Sequence, residues 1–216
     1  LLDAADDQGD EDYSVAAQMR RHQVTHFQCT PSMARILSSD PDTLHAWRGV
    51  EKTLLGGEAL PADLAATLAS NCTGEIVNVY GPTETTIWSS SSKLTDAQDI
   101  TIGRPIANTC IYILDQNQQP TPIGVAGELY IGGAGVVRGY LDRPELTAER
   151  FIDNPFKHPI SPRIYRTGDL VKYRNSGDIE YLGRLDHQVK LRGYRIELGE
   201  IESLICANNT VNDCVV

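Results

Sequence analysis

The chain has 216 residues, a formal net charge of −10 and a pI near 4.9. That length suits one ordinary domain with a sizeable core, and the acidic balance argues against binding nucleic acid or an anionic membrane, both of which reward basic patches. No apolar run approaches the ~20 residues needed to cross a bilayer, no start reads as a signal peptide, and five scattered cysteines without metal spacing read as reduced thiols of a cytoplasmic protein.

Leu1 to Glu11 is acid-rich and aperiodic, the mark of a surface loop. Tyr13 to His22 reads as an amphipathic helix with Val15 and Met19 on its apolar side. A strand is expected at Val24 to Gln28, and Pro31 opens the next helix. Leu54-Leu55 runs as a strand into the turn Gly56-Gly57-Glu58, followed by a helix with Pro61 at its start and Leu68 near its end. Ile76 to Tyr80 has the composition of a buried strand, which Gly81-Pro82 ends sharply. Strands alternating with helices up to Glu84 predict an α/β fold with a mostly parallel sheet.

From about Thr101 the pattern changes to short strands and tight turns. Strands are expected at Cys110 to Leu114 and Glu128 to Ile131, and a hairpin at Leu170 to Tyr173 and Ile179 to Leu182 around Arg174 to Asp178. One helix near Arg143 to Phe151 has Asp142 as its expected cap and Pro144 at its start. After Asp186 come a strand at Gln188 to Leu191, a Gly193 turn and a helix from Leu198 to Cys206; Asn212 to Val216 reads as a strand just starting.

Chemistry concentrates where the strand at Ile76 to Tyr80 breaks, because open α/β sheets bind ligands at strand ends. Asn78-Val79-Tyr80-Gly81-Pro82-Thr83-Glu84-Thr85-Thr86 offers hydroxyls, a carboxylate and an aromatic face there, suited to a phosphate, a magnesium ion and a nucleobase. Asp169, after Thr167-Gly168, can accept two hydrogen bonds from a ribose diol, and the fork of Arg184 suits phosphate or ribose oxygens. The bland alternatives are a capped turn at Glu84, an ordinary turn at Asp169 and a surface ion pair at Arg184. Gly133 to Gly139 has one residue too many for a dinucleotide fingerprint and lacks the Lys-Ser/Thr end of a P-loop, so these glycines read as scaffold.

Four strings stand in register: the one just quoted, Gly127-Glu128-Leu129-Tyr130-Ile131-Gly132-Gly133 continuing to Leu141, Tyr165-Arg166-Thr167-Gly168-Asp169-Leu170, and the run from Gly183 to Glu202. Together they resemble the core motifs of adenylation domains of nonribosomal peptide synthetases, within the adenylate-forming superfamily. The resemblance spans about Val24 to Val216. It implies the later part of a large N-terminal core over 1–185, β-rich from about 101, and a hinge with the beginning of a small α+β C-terminal lid over 186–216. The phosphate loop expected upstream and the late lysine expected downstream are not in this sequence, so it is expected to be the middle and late part of such a domain.

The resemblance further implies ATP and Mg²⁺ as cofactors, with Gly57, Glu58, Asn78, Tyr80, Gly81, Thr83, Asp169 and Arg184 at the nucleotide. Tyr80 would stack on adenine, Asn78 would bond its amino group, and Asp169 would hold the ribose. Thr83, Glu84 and Lys190 are the implied catalytic residues, with Glu84 on the metal. Asp186 is the implied hinge, and Gly193 and Arg195, with Lys190, would face the site when the lid rotates for thioester formation; a solvated face is the alternative for Lys190. Motif alignment assigns Gln28, Leu54, Gly56, Val79, Ile87 and Trp88 to the acid pocket. None is charged; Gly56 is expected to leave depth and Ile87 and Trp88 to form walls, which fits a neutral, moderately large or aromatic acid.

The implied reaction is activation of an amino or related acid with ATP and transfer to the phosphopantetheine of a carrier domain in the same polypeptide, with an accessory protein as a further partner. The rival readings are an acyl-CoA ligase of the same superfamily and a non-catalytic carrier-docking module.

Overall fold

The structure, a computed structural model, describes residues 12–186, 189–191, 194–196, 198–207, 211 and 214–216. Helix α1 (Val15–Arg21) is capped by Ser14, whose side chain accepts from the Ala17 amide. Strand β1 (His26–Cys29) leads through the Thr30 cap into α2 (Pro31–Ser38), with Pro31 in the first turn as expected. A helix that hydrophobic periodicity does not reveal, α3 (Pro41–Trp47), follows; Asp40 accepts from the Asp42 and Thr43 amides. Its signal was the Asp-Pro cap pair, carried by only seven residues.

Strand β2 (Lys52–Gly56), helix α4 (Ala62–Asn71) and strand β3 (Glu75–Tyr80) complete the α/β alternation. Pro61 is the N-cap of α4 and lies just outside the helix. Strands β1, β2 and β3 are parallel neighbours, with Gln28 opposite Leu54 and Gly56 opposite Val79. Two strands not foreseen, β4 (Ser90–Lys93) and β5 (Arg104–Pro105), extend this sheet antiparallel. The helices cover one face with a core of Trp47, Leu55, Leu64, Leu68 and Ile76. Trp47 is wholly buried, and its indole N–H donates to Thr53 Oγ1 at 2.7 Å, which removes the cost of burying that donor.

The second sheet is antiparallel. It contains β6 (Thr109–Leu114), β7 (Gly127–Gly133), β8 (Phe151–His158), β9 (Ser161–Tyr173) and β10 (Ile179–Arg184), in the order β10-β9-β7-β6 with β8 also on β9. The β9–β10 hairpin has the expected register, with Ile179 opposite Tyr173. Helix α5 (Pro144–Arg150) precedes β8, but Asp142 is not its cap: Arg143 occupies that position without a side-chain bond, and Asp142 takes φ +53. Phe151 is both the C-cap of this helix, as expected near its end, and the first residue of β8.

Beyond Asp186, β11 (Val189–Leu191) pairs antiparallel with β12 (Tyr194–Ile196), a strand not foreseen, and α6 (Leu198–Cys206) follows. The strand expected at Asn212 to Val216 is not formed by the described residues there, and Asn212 and Asp213 lie outside them. Among the described residues no helix is long and apolar enough to cross a membrane.

The two five-stranded sheets meet at the end of β3. Tyr80 packs in one cluster with Ile102, Ile113, Leu129, Val171 and Ile179, and the Ile102 and Ile179 amides each donate across the junction at 2.9 Å.

Candidate active site

Alternation along β3 places Asn78 and Tyr80 on one face and Val77 and Val79 on the other. Past Tyr80 the chain turns through Gly81-Pro82 into a 3₁₀ turn, Thr83–Thr85. Thr86 and Ile87 then adopt φ +62 and +72. Two successive β-branched residues in the left-handed region are strained, and such strain collects at functional sites.

At this strand end lies a cleft of about 200 Å³, lined in part by Gly57, Glu58, Asn78, Tyr80, Gly81 and Tyr181. Five of these are residues expected at the nucleotide. Asn78 Nδ2 donates to the Thr101 carbonyl at 2.7 Å, which orients the amide with its oxygen as acceptor, suited to an amino group. Glu58 Oε2 accepts from the Ser32 amide at 2.9 Å, tying the turn after β2 to the start of α2.

Two carboxylates, Glu84 and Asp169, are buried, and neither is among the residues that line the cleft. Glu84 is 5% exposed, and Tyr140 Oη donates to its Oε1 at 2.7 Å. Burial, then the bonds to Glu84 and Tyr165, hold the Tyr140 phenol well above its ordinary range, so it donates at neutral pH. Asp169 is 3% exposed; its Oδ2 accepts from Tyr80 Oη and its Oδ1 from Arg184 Nη1 at 3.0 Å. Arg184 also forks onto Asp186, at 2.6 and 2.7 Å. Burial opposes the charge on Arg184, but Asp186 and Asp169 outweigh it and raise the guanidinium pKa. Asp169 touches the cleft through Tyr80 and Tyr181, which line it, and Arg184 only by way of Asp169.

The residues assigned to the acid pocket cluster at the ends of β1, β2 and β3, but one detail differs from expectation. A Cβ on Gly56 would lie 2.6 Å from the Trp88 ring and 2.5 Å from the Val79 carbonyl. The depth expected above Gly56 is therefore filled by the Trp88 indole, whose N–H donates to Gln28 Oε1 at 3.3 Å. Ile87 is 61% exposed, and Thr83 is also exposed. Lys190 and Arg195 sit opposite each other in the β11–β12 pair, and Gly193 lies outside the described residues.

Sequence reasoning missed Tyr140, Tyr181 and Thr101. Tyr140 lies in the glycine-rich string read as scaffold, and the tyrosines carry no local signal separating them from core aromatics. In the glycine loop the Ala134, Val136 and Val137 amides donate to the Asn108, Gly133 and Glu84 carbonyls.

Among the described residues no group of three or more His, Cys, Asp or Glu could hold a metal by itself. A lone carboxylate at a strand end suits Mg²⁺ of the kind that keeps several waters and bridges substrate phosphates, so the residues present fit that ion arriving with a nucleotide.

The AMP-binding enzyme family matches residues 5–141. The chain is 48% identical over 200 residues to tyrocidine synthase 3 of Brevibacillus parabrevis, a match that covers 92% of this chain and 3% of that protein. It superposes with a TM-score of 0.81 and 30% identity on an artificially fused adenylation–PCP di-domain synthetase from Klebsiella oxytoca, covering 95% of this chain and 38% of that one. A holo four-domain nonribosomal peptide synthetase bound to AMP and glycine gives 0.73 at 44% identity, covering 94% of this chain and 15% of that one. The chain thus spans only a small part of these relatives. With more than half of its length matched, through the Glu84 turn to Tyr140, the chain belongs to the AMP-binding enzyme family.

Proposed function

We propose that this chain is the middle and late part of a nonribosomal peptide synthetase adenylation domain. Its parent activates an amino acid with ATP and passes the acyl group to the phosphopantetheine thiol of a carrier domain in the same polypeptide, in the cytoplasm. The observation that carries this reading is the gathering of Gly57, Glu58, Asn78, Tyr80 and Gly81 around one cleft at the end of the parallel sheet.

In the first step a carboxylate oxygen of the acid attacks the α-phosphorus and pyrophosphate leaves. In the second the carrier thiol attacks the acyl carbon and AMP leaves. Asn78 and Tyr80 bind and orient the base, and Asp169 with Arg184 serves the ribose side. The chemistry Mg²⁺ supplies when bound is neutralisation of phosphate charge, and Glu84 would hold it. The uncharged set Gln28, Leu54, Gly56, Val79, Ile87 and Trp88 fits a neutral side chain, because a buried charge there would lack an ionic partner. Asp186 is the hinge in this reading, and Lys190, Gly193 and Arg195 belong to the thioester-forming orientation.

The test is Glu84→Ala in the complete domain. Loss of a metal ligand is worth several kcal/mol, so amino-acid-dependent pyrophosphate exchange should fall at least about a hundredfold. Exchange at the parental rate would overturn the proposed role of Glu84.

A further inference from the structure

The glycine-rich loop between β7 and α5 closes onto the Glu84 turn. Val137 N donates to the Glu84 carbonyl at 3.0 Å, and Thr86 Oγ1 donates to the Gly135 carbonyl at 2.7 Å. Tyr140 Oη donates to the Glu84 carboxylate at 2.7 Å. Gly135 permits this approach: a Cβ there would lie 2.6 Å from the Thr85 carbonyl oxygen. The loop thus holds Glu84 at its carbonyl and its carboxylate and Thr86 at its hydroxyl, in a segment whose Thr86 and Ile87 are at positive φ. Strain of this kind persists only when the surroundings over-determine it.

Tyr140 is itself rigidly placed. Its ring meets Phe151 edge-on at 5.4 Å, and its amide donates to Thr147 Oγ1 at 2.9 Å. The phenol therefore approaches Glu84 from a fixed direction and holds Oε1 by a charge-assisted bond, which limits rotation of the carboxylate about its long side chain. A ligating carboxylate needs such an outer partner, because the metal's affinity depends on the ligand being oriented before the metal arrives.

We propose that Tyr140 is a positioning residue for the metal-bound nucleotide: through its bond to Glu84 Oε1 it presents the carboxylate to Mg²⁺, and the glycine loop is the clasp that holds it there. The inference rests on the reading of Glu84 as the metal residue. It gives a function to a loop whose glycines otherwise read as scaffold.

The experiment compares Tyr140→Phe and Glu84→Gln with the parent in the complete domain, using calorimetric titration with ATP in Mg²⁺ and with ATP in EDTA. Tyr140→Phe keeps the ring against Phe151 and removes only the hydroxyl. It should weaken binding of Mg·ATP by about tenfold, the scale of outer-partner mutations, and leave ATP affinity in EDTA unchanged. A purely structural role would move the two affinities together, and that result, like unchanged Mg·ATP affinity, would overturn the inference. Glu84→Gln separates the layers. If it leaves Mg·ATP binding intact, the metal reading and this inference fall together. If it weakens Mg·ATP binding while Tyr140→Phe does not, only the role of Tyr140 falls. The double variant should bind Mg·ATP no more weakly than Glu84→Gln alone, since the hydroxyl acts through the carboxylate; additive losses would place Tyr140 outside this route.

Discussion

Glu84 and Asp169 are both carboxylates and both almost fully buried, yet the two meet different chemistry: a hydroxyl for one, a guanidinium for the other. Asp169 meets the guanidinium of Arg184, itself bridged to Asp186, and accepts a second bond from Tyr80. Glu84 Oε1 meets a tyrosine hydroxyl, which brings a dipole and no charge. An ion pair in a buried place is costly to break, because removing one partner strands the other; a neutral donor strands less. The same contrast runs through the two sheets. The second sheet carries Arg166–Glu128, Arg174–Glu180 and Lys172–Glu180 between adjacent strands or within its hairpin. The first relies on neutral packing such as Trp47 on Thr53 and Trp88 over Gly56, with its Lys52–Glu75–Lys93 charges on a partly exposed face.

The sharpest way to break this comparison is Arg184→Met. It leaves Asp169 buried without its cation and should destabilise the complete domain by about 3–5 kcal/mol, read from the urea midpoint. Tyr140→Phe should move that midpoint less. If the order is reversed, the two carboxylates are not held in the way the contacts imply.

A smaller effect is expected from Gly56→Ala, which tests neutral packing in the first sheet. The added methyl must displace the Trp88 ring or the Val79 carbonyl, and overpacking of this sort costs about 1–3 kcal/mol. Trp88 fluorescence should shift in the folded state. An unshifted spectrum together with parental stability would show that the indole does not rest on Gly56 in solution.

The smallest effects concern pH. Hydrogen bonding to Arg174 holds the Glu180 carboxyl below its ordinary range, and Ser176 and then Arg104 do the same for Asp178. A folded pKa below the unfolded one gives stability that is present above the ordinary carboxylate range and lost as pH falls through the folded value, so acid should loosen the β9–β10 hairpin. Burial pushes the Cys29 thiol up to about 12, so its contribution is complete below the ordinary thiol value and lost as pH rises toward 12. Trp47 and Trp88 both lie in the first sheet's region and are the two tryptophans of the chain. Lys93 and then Lys52 hold the Glu75 carboxyl of β3 below its ordinary range in the same way, so mild acid should alter far-ultraviolet dichroism and tryptophan fluorescence together, and Cys29→Ala should lessen the alkaline loss of stability. Fluorescence that stays unmoved while dichroism changes would show that the Glu75 ion pairs do not hold the first sheet.

How much was legible follows from where each signal is stored. Pro31 at a helix start, the break after Tyr80 and the turn between β9 and β10 are short-range backbone chemistry, and they appear where the residues say. Strand β4 is Ser-Ser-Ser-Lys, polar throughout, and forms because β3 offers it an edge. Strand β8 contains Pro155 and pairs only along β9, a position where a missing donor is tolerated. Asp142 has the chemistry of a cap, but its positive φ places it outside that role.

The sequence by itself determined the α/β alternation of the first region, the strand end that carries Asn78 to Glu84, and the motifs that mark the family, because periodicity, turn residues and short strings are local. Only the tertiary structure decided what those residues meet. Tyr140 reaches Glu84 across 56 positions and Tyr80 reaches Asp169 across 89, while Trp88 fills the depth above Gly56. The two tyrosine contacts depend on how the sheets are placed against one another and the indole contact on how the loop after β3 folds back over β2, and a hydroxyl or an indole carries no mark along the chain of the distant partner that packing will bring to it.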